Sequence, residues 1–323
     1  MRRRGFLAGV GALFAASCVR AQARSEVLAF HYGWYGADEG WGVSADGGRN
    51  HPNQPEGGLY DSLDPAVIAR QIEQARAAGI TGFITSWDGE GNRRDRVLEA
   101  LLAAAPEGFS ITAYVESSGG SADTLAARLN DLHQRYGGEP RWLRLNGRPC
   151  LFVFDRVWQE LGQAGWTSAR MLHDQISGRG FAVVGPANTE SEIAARRGLF
   201  DALHIYSIQF QTDGWRIAFG AFARRWIGRW VEVQRGLAVT TATILPGYDD
   251  RRLDDRTGDR PTTPRRSGRT FRMMWDAALA ARPDWVLIVS WNEWLEATEI
   301  EPSAENGRRE LETLREMTGR LGS

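Results

Sequence analysis

The sequence predicts a single (β/α)8 TIM barrel with extended βα loops. Three observations carry that expectation. Strand-like and helix-like stretches alternate regularly after residue 24, the strand-like stretches are continuous apolar runs, and polar or aromatic residues collect where those runs end. Continuous apolar runs suit parallel strands buried on both faces, whereas half-exposed strands alternate. Eight such runs, each followed by helical chain with no linker or repeat period, argue for one closed barrel. A strand count wrong by one would leave a doubly wound sheet as the rival. The 323 residues, 42% of them hydrophobic, are enough for one large core, since such barrels need about 250.

The first strand is expected at Val27–Tyr32, before a long Gly/Asn/Pro/Asp loop reaching Pro65. A helix then covers Pro65–Ala78, because Pro65 suits an early helical position and Ile68, Ile72 and Ala75 repeat at helical spacing. Gly79 stops it. The second strand is Gly82–Trp87, a helix covers Asp95–Ala105, and the third strand is Ser110–Val115. The helix Ala122–Arg135 leads to a fourth strand, Pro149–Phe154. Helix Ser168–Gly178, strand Phe181–Val184, helix Glu190–Arg197 and strand Ala202–Tyr206 follow. Trp215–Arg235 reads as one long or two short helices. Strand Val239–Ile244, helix Thr270–Ala281, strand Trp285–Ser290 and helix Ala304–Leu321 complete the chain.

Residues 1–23 read as an export signal of the twin-arginine type rather than as part of the fold, leaving 24–323 as one catalytic domain. Arg3-Arg4-Gly5-Phe6-Leu7 gives the arginine pair, and the apolar run Phe6–Ala16 is too short to span a bilayer. Ala21-Gln22-Ala23 is a small-x-small cleavage site that would leave Arg24 first. Ala15-Ala16-Ser17-Cys18 is a competing lipoprotein box, with Cys18 acylated. A periplasmic or secreted protein is expected, without stable membrane insertion after export. Only Cys150 then remains in the mature body, in the apolar run Cys150–Phe154, where a buried inert thiol is expected.

The formal net charge of −1 removes the electrostatic drive expected of a nucleic-acid binder. All 39 basic residues are arginine, so lysine chemistry is excluded. Thirteen tryptophans suit either a carbohydrate cleft or a buried core.

In a barrel of this kind, functional side chains stand at the strand C-terminal ends. Tyr32, Trp87, Asp88, Glu116, Asp155 and Tyr206 lie there, as do Tyr248 and Asp249 after the seventh strand and Asn292, Glu293 and Glu296 after the eighth. Glycosidic bond cleavage needs one group to protonate the leaving oxygen and a second to supply or activate a nucleophile. Glu293 and Glu296 meet that need if the chain between them turns, and fail it if the chain is extended. Trp291, Trp294 and Leu295 would raise one carboxyl's pKa. The same pair would equally suit a solvent-facing helix N-terminus, where the macrodipole favours glutamate.

The segment Ser290-Trp291-Asn292-Glu293-Trp294-Leu295-Glu296-Ala297-Thr298-Glu299-Ile300-Glu301-Pro302 resembles the Asn-Glu-Trp-His-Glu-Gly-Thr-Gln-Ile-Glu-Pro motif of glycoside hydrolase family 99, the endo-α-mannosidases and endo-α-1,2-mannanases. Phe30–Gly36, Tyr60–Pro65, Ser86-Trp87 and Pro246–Asp250 agree with that family in order, and Glu116 resembles its cleft glutamate. The resemblance implies an exported, retaining, endo-acting hydrolase of α-mannoside-type linkages. Glu293 would act as base on the sugar's own 2-hydroxyl, forming a 1,2-anhydro sugar, and Glu296 would be the acid and then the base toward water. Asn292 would orient the 2-hydroxyl or Glu293. Tyr32, Glu116 and Tyr206 would line the cleavage subsite, with Trp87, Asp88 and Tyr248 as further substrate contacts. No cofactor or metal is implied, the partner is an oligo- or polysaccharide, and a monomer is expected.

Departures surround the acids: Leu295 replaces the family's His, Ala297 its Gly, Glu299 its Gln, and Asp88 an aromatic or apolar residue. Two rivals follow, a glycosyltransferase-like protein of polysaccharide biosynthesis and a carbohydrate-binding barrel that has lost catalysis. Among the histidines, His31 lies in the first strand-end motif and His51 is a loop residue that could meet sugar hydroxyls. His133, His173 and His204 read as structural. The Arg/Asp-rich run 249–269 reads as an excursion over the barrel mouth.

Overall fold

The computed structural model describes residues 25–43, 47–178, 180–213, 218–254, 258 and 260–321. The expected export signal, with Cys18 and the proposed new terminus Arg24, lies outside the described residues, as do Trp215 and parts of the run 249–269. Among the described residues the order is β1 (Glu26–His31), α1 (Pro65–Ala77), β2 (Gly82–Trp87), α2 (Arg93–Ala104), β3 (Ser110–Val115), α3 (Ala122–Tyr136), β4 (Arg144–Leu145) and β5 (Arg148–Val153). Then come α4 (Asp155–Ser177), β6 (Ala182–Pro186), α5 (Glu190–Arg196), β7 (Ala202–His204), α6 (Gln209–Thr212), α7 (Phe219–Val233), β8 (Thr241–Ile244), α8 (Arg269–Ala281), β9 (Trp285–Ile288) and α9 (Arg309–Thr318).

Eight of these strands are parallel, in the order β7-β6-β5-β3-β2-β1-β9-β8. The rival doubly wound sheet is set aside by the meeting of the two end strands. There the seam is closed partly by side chains: Thr241 Oγ1 donates to the Leu203 carbonyl at 2.8 Å and Thr243 Oγ1 to the Ile205 carbonyl at 2.5 Å. Short threonine hydroxyls satisfy carbonyls that would otherwise lack ladder partners inside the protein. The barrel is therefore (β/α)8 in kind, with β4 an added antiparallel strand pairing with β5.

Alternation along each strand separates two apolar layers. Leu28, Phe30, Ile84, Tyr114, Phe152, Val184 and Leu287 fill the barrel. Val27, Ala29, Phe83, Trp87, Ile111, Val183 and Val286 face the helices. Both faces are thus buried, the arrangement inferred from the continuous apolar runs. Helix starts follow local chemistry: the Asp64 carboxylate accepts from Ala66 N with Pro65 next to it, Asn92 and Ser121 cap α2 and α3, and Thr189 and Glu192 form a reciprocal capping box on α5.

Several expected boundaries shift. The helix expected at Ser168–Gly178 begins at Asp155, bent at Gly162, whose φ of 61° interrupts the helical path. Within the stretch expected as one long or two short helices, the described residues hold the single helix α7, the short α6 precedes Trp215, and the last helix starts only at Arg309. Strands β7 and β9 end at His204 and Ile288, two residues earlier than expected, so Tyr206 and Ser290 stand beyond the sheet. Among the described residues no helix is long and apolar enough to cross a membrane.

Candidate active site

After β9 the chain folds into a compact loop. The Ser290 hydroxyl accepts the Glu293 N–H at 2.7 Å, Thr298 N donates to the Glu293 carbonyl at 3.3 Å, and Glu301 N donates to the Trp291 carbonyl at 2.8 Å. At its apex Trp294–Glu296 forms one 3₁₀ turn, with Glu293 as the capping residue. Glu293 and Glu296 thus flank one tight turn, and the charges of both act on the same two phenols, Tyr32 and Tyr206. This is the condition the sequence left open, and the helix-N-terminus alternative fails with it, because both carboxylates are buried, at 3% and 7% exposure.

Two tyrosines reach these acids. Tyr206 donates to Glu296 Oε2 at 3.1 Å, and Tyr35 stands 3.4 Å from Glu293 Oε1, which also accepts the Leu295 N–H at 3.2 Å. Tyr32 lies between. Its phenol is pushed well above the ordinary tyrosine range by burial, then by the charges of Glu116, Glu293 and Glu296. The carboxylates after β3 and β9 thus converge on one phenol at the barrel mouth. Tyr206 is raised in the same way, by burial, Glu296, Tyr32 and Glu293, so both phenols remain protonated donors. Glu116 is pushed up to about 7, chiefly by burial, while the Ser86 hydroxyl and the Arg156 and Arg94 guanidiniums pull it back. The cluster offers two acids on one turn, a third able to carry a proton near neutrality, and fixed hydroxyl donors. That is equipment for moving protons at an enclosed substrate.

Three nominated contacts, Trp87, Asp88 and Asn292, are placed differently from expectation. Trp87 does not face the mouth: strand alternation turns it into the helix layer, fully buried, where its indole N–H donates to Asp95 at 2.8 Å. Asp88 is committed to Arg94 at 2.8 Å and Asn92 at 2.6 Å, which occupies the carboxylate expected at a sugar. Asn292 is also fully buried, and its amide pairs with the Tyr32 backbone in both directions, accepting from N at 2.7 Å and donating to O at 2.8 Å. It therefore anchors the loop to β1 rather than orienting a substrate hydroxyl directly. Tyr248 is buried, with its hydroxyl on Asp250 at 3.0 Å. It lines a cleft of about 590 Å³ with Asn53, Asp249, Arg265 and Ala297, beside the turn through the bond from Asp249 N to the Glu296 carbonyl at 2.9 Å.

His31 bonds Thr85 and Gln71 on the outer face of the barrel, and His51 is buried with Nδ1 2.6 Å from the Asn53 carbonyl, so neither is presented to the mouth. Cys150 is fully buried, and burial raises its thiol far above the ordinary range. Asp155 joins Arg196 at 3.3 Å. Tyr35, Tyr60 and Arg94 were not singled out from the sequence. A signal for Tyr35 existed in its place three residues after Tyr32 in an aromatic strand-end motif, but its reach across 258 positions to Glu293 had no sequence signature.

The chain matches the model of glycosyl hydrolase family 99 over residues 46–315. It is 25% identical to the glycoprotein endo-alpha-1,2-mannosidase of Mus musculus over 325 residues, covering 84% of this chain and 67% of that protein. Identity to the Xenopus laevis protein of the same description is 27% over 273 residues, covering 76% and 57%. A GH99 endo-alpha-mannosidase structure from Bacteroides thetaiotaomicron shares the fold at a TM-score of 0.70 and 22% identity, covering 93% of this chain and 99% of that one. A glycoside hydrolase-like protein superposes at 0.67 with 15% identity, covering 91% and 94%. Fold, buried acids and matches together define a glycoside hydrolase of the barrel type. The chain belongs to glycosyl hydrolase family 99.

Proposed function

We propose that this hydrolase is a retaining, endo-acting enzyme cleaving α-mannoside-type linkages through the substrate's own 2-hydroxyl. The observation that carries this reading is the pair Glu293 and Glu296 on one buried 3₁₀ turn, each reached by a tyrosine. The endo-alpha-1,2-mannosidases among the relatives supply the linkage. In an α-mannoside O1 and O2 are trans-diaxial, so O2 can attack C1 from the face opposite the leaving group. Glu293 takes the O2 proton as the O2–C1 bond forms and the C1–O bond breaks, and Glu296 gives its proton to the departing oxygen. Water then attacks C1 of the 1,2-anhydro sugar and passes a proton to Glu296, while O2 leaves C1 and recovers its proton from Glu293. Two inversions give net retention. Tyr32, Tyr206 and Glu116 line the subsite where this occurs, and the cleft beside Tyr248 takes the leaving-group side. The protein acts as an exported monomer in the periplasm or medium, addressed by the arginine pair Arg3-Arg4.

The test is product analysis on α-1,2-linked manno-oligosaccharides, with the new anomeric centre assigned by NMR. Retention and internal cleavage are expected, and inversion would refute the route. Glu293→Gln and Glu296→Gln are each expected to lose on the order of a thousandfold or more in turnover with the fold intact. Full activity in either would sink the assignment. The mass of the mature chain should begin at Arg24, and Lys at positions 3 and 4 should hold the protein in the cytoplasm.

A further inference from the structure

We infer that Tyr35 is a positioning residue for Glu293, holding that carboxylate through the backbone of the turn that bears it. The inference rests on the reading of Glu293 as base given above.

Tyr35 follows β1 in the segment Tyr32-Gly33-Trp34-Tyr35, and its ring is fully buried. It is wedged between Trp41, with centroids 4.3 Å apart, and Tyr60, at 5.9 Å. Its carbonyl is fixed by Ser62 N at 2.8 Å. Gly40 approaches so closely that a Cβ there would lie 2.7 Å from the Tyr35 ring. The ring therefore has one place to be.

From that place the phenol oxygen accepts the Trp294 N–H at 3.0 Å. An oxygen that accepts from a backbone amide must direct its own proton elsewhere, and the acceptor in reach is Glu293 Oε1 at 3.4 Å. Burial and the Glu293 charge raise the phenol well above its ordinary range, so it stays a donor at any working pH. One hydroxyl thus ties the first amide of the 3₁₀ turn to the carboxylate that caps it, and the Leu295 N–H reaches the same oxygen at 3.2 Å. Such bonds are often long in unliganded sites and tighten around the substrate. A base that must meet one hydroxyl proton gains rate from being held, and a misplacement of about 1 Å can cost on the order of a hundredfold.

Tyr60 provides the comparison. Its hydroxyl contacts Trp294 Nε1 at 3.1 Å, Asn292 at 3.2 Å and Glu301 at 2.8 Å, so it braces the same loop from behind without contacting either acid.

The experiment compares an α-1,2-linked manno-oligosaccharide with a disaccharide fluoride of the same sugar. Fluoride departs without protonation, so the fluoride bypasses the acid Glu296 but still needs the base. Tyr35→Phe is expected to lower kcat roughly 10- to 100-fold on both substrates with KM within about twofold. Tyr60→Phe is expected to lower the melting temperature without that paired loss. Wild-type kcat in folded Tyr35→Phe, or a loss confined to the natural linkage, overturns the inference. Should Tyr35→Phe fail to fold, a fluorotyrosine at position 35 keeps the shape and strengthens the donor; unchanged kcat on both substrates then overturns it. Glu293→Gln is run alongside. Activity on both substrates in that variant means the base assignment has failed, whereas its inactivity beside an unimpaired Tyr35→Phe removes only the positioning role.

Discussion

The Tyr206 hydroxyl donates to Glu296 Oε2 across 3.1 Å, with both residues less than a tenth exposed. The bond joins two loops, since Tyr206 stands two residues past β7 and Glu296 closes the 3₁₀ turn after β9. A phenol kept protonated by burial and by the Glu296 charge can only donate there. It orients the carboxylate and, on the proposed route, stabilises the charge left when Glu296 gives its proton to the leaving group. Fixed donors of this kind are worth on the order of a hundredfold in enclosed sites. Tyr206→Phe is therefore expected to lose about that factor in kcat on a natural linkage and distinctly less on a glycosyl fluoride. Steady-state kinetics on the two substrates check this, and equal losses would show that Tyr206 acts elsewhere than on the acid.

Glu116 makes stability depend on pH in an unusual direction. Its carboxyl holds a proton up to about pH 7 in the folded protein, whereas an unfolded glutamate releases it near 4.3. Between those values the folded state binds more protons than the unfolded state, so its stability falls as pH rises. The penalty is absent below the unfolded value and complete above 7. Allowing for partial exposure, it amounts to roughly 1–3 kcal/mol. Glu116→Gln is expected to match the wild type in unfolding free energy near pH 4 and to exceed it by that amount at pH 8. Parallel stability curves would refute the shifted carboxyl. The buried histidines act in the opposite sense, with His31 and His204 held down to about 4 by burial, so the difference between variants is more informative than either curve alone.

The legible parts of this fold were those set by local pattern. Apolar runs disclosed both faces of the sheet, and Pro65 and Gly79 marked the ends of α1. The pair Glu293 and Glu296 was legible through the motif that Ser290–Pro302 resembles, since its residue types alone suited a solvent-facing helix N-terminus equally. Side-chain direction was less legible: Trp87 ends its strand as expected, yet one step of the pleat separates a residue facing the mouth from one facing the helices. Partnership was least legible. Asp88 and Asn292 have the chemistry of sugar contacts, and nothing local tells that Arg94 and the Tyr32 backbone take them first. Tyr35 shows the converse, a residue hidden because its partner lies in a loop that only barrel closure brings near. The two strands that close the barrel bond partly through threonine hydroxyls, which no strand pattern announces.

Arg265 compensates for a departure from the family motif. Glu299, where the motif has Gln, is buried, and its carboxyl is pushed up to about 7 by burial against the pull of Arg265. That guanidinium lies 2.6 Å from Glu299 and 3.1 Å from Glu310, both nearly fully buried, and caps the Ala297 and Glu299 carbonyls at 3.0 and 2.7 Å. Removing one partner of a buried pair leaves an uncompensated charge and costs about 3–5 kcal/mol. Arg265→Met is expected to lose that much in urea unfolding, and Arg265→Met with Glu299→Gln to recover part of it. An equal loss in single and double variants would show that the carbonyl contacts, rather than the charge, hold this loop.

Gly79 offers a test of the scaffold remote from the chemistry, at the turn from α1 into β2. Its φ of 95° lies where side chains are strained, and a Cβ there would come within 2.3 Å of Thr318 Oγ1 and 2.8 Å of Thr318 Cβ. The turn is in use on both sides, since Gly79 N donates to the Arg76 carbonyl at 2.9 Å and Thr318 Oγ1 donates to the Ala78 carbonyl at 3.2 Å. Left-handed backbone alone costs a residue with a side chain about 1–2 kcal/mol, and overpacking adds about 1–3. Gly79→Ala is therefore expected to destabilise by at least ~2 kcal/mol, with kcat at 25 °C unchanged because αβ turns lie at the barrel end opposite the acids. Adding Thr318→Ala removes the nearest clashing atom and should return the steric part while leaving the backbone part. A neutral Gly79→Ala would mean that α1 and α9 can separate at no cost, and the tight joint between them would have to be abandoned.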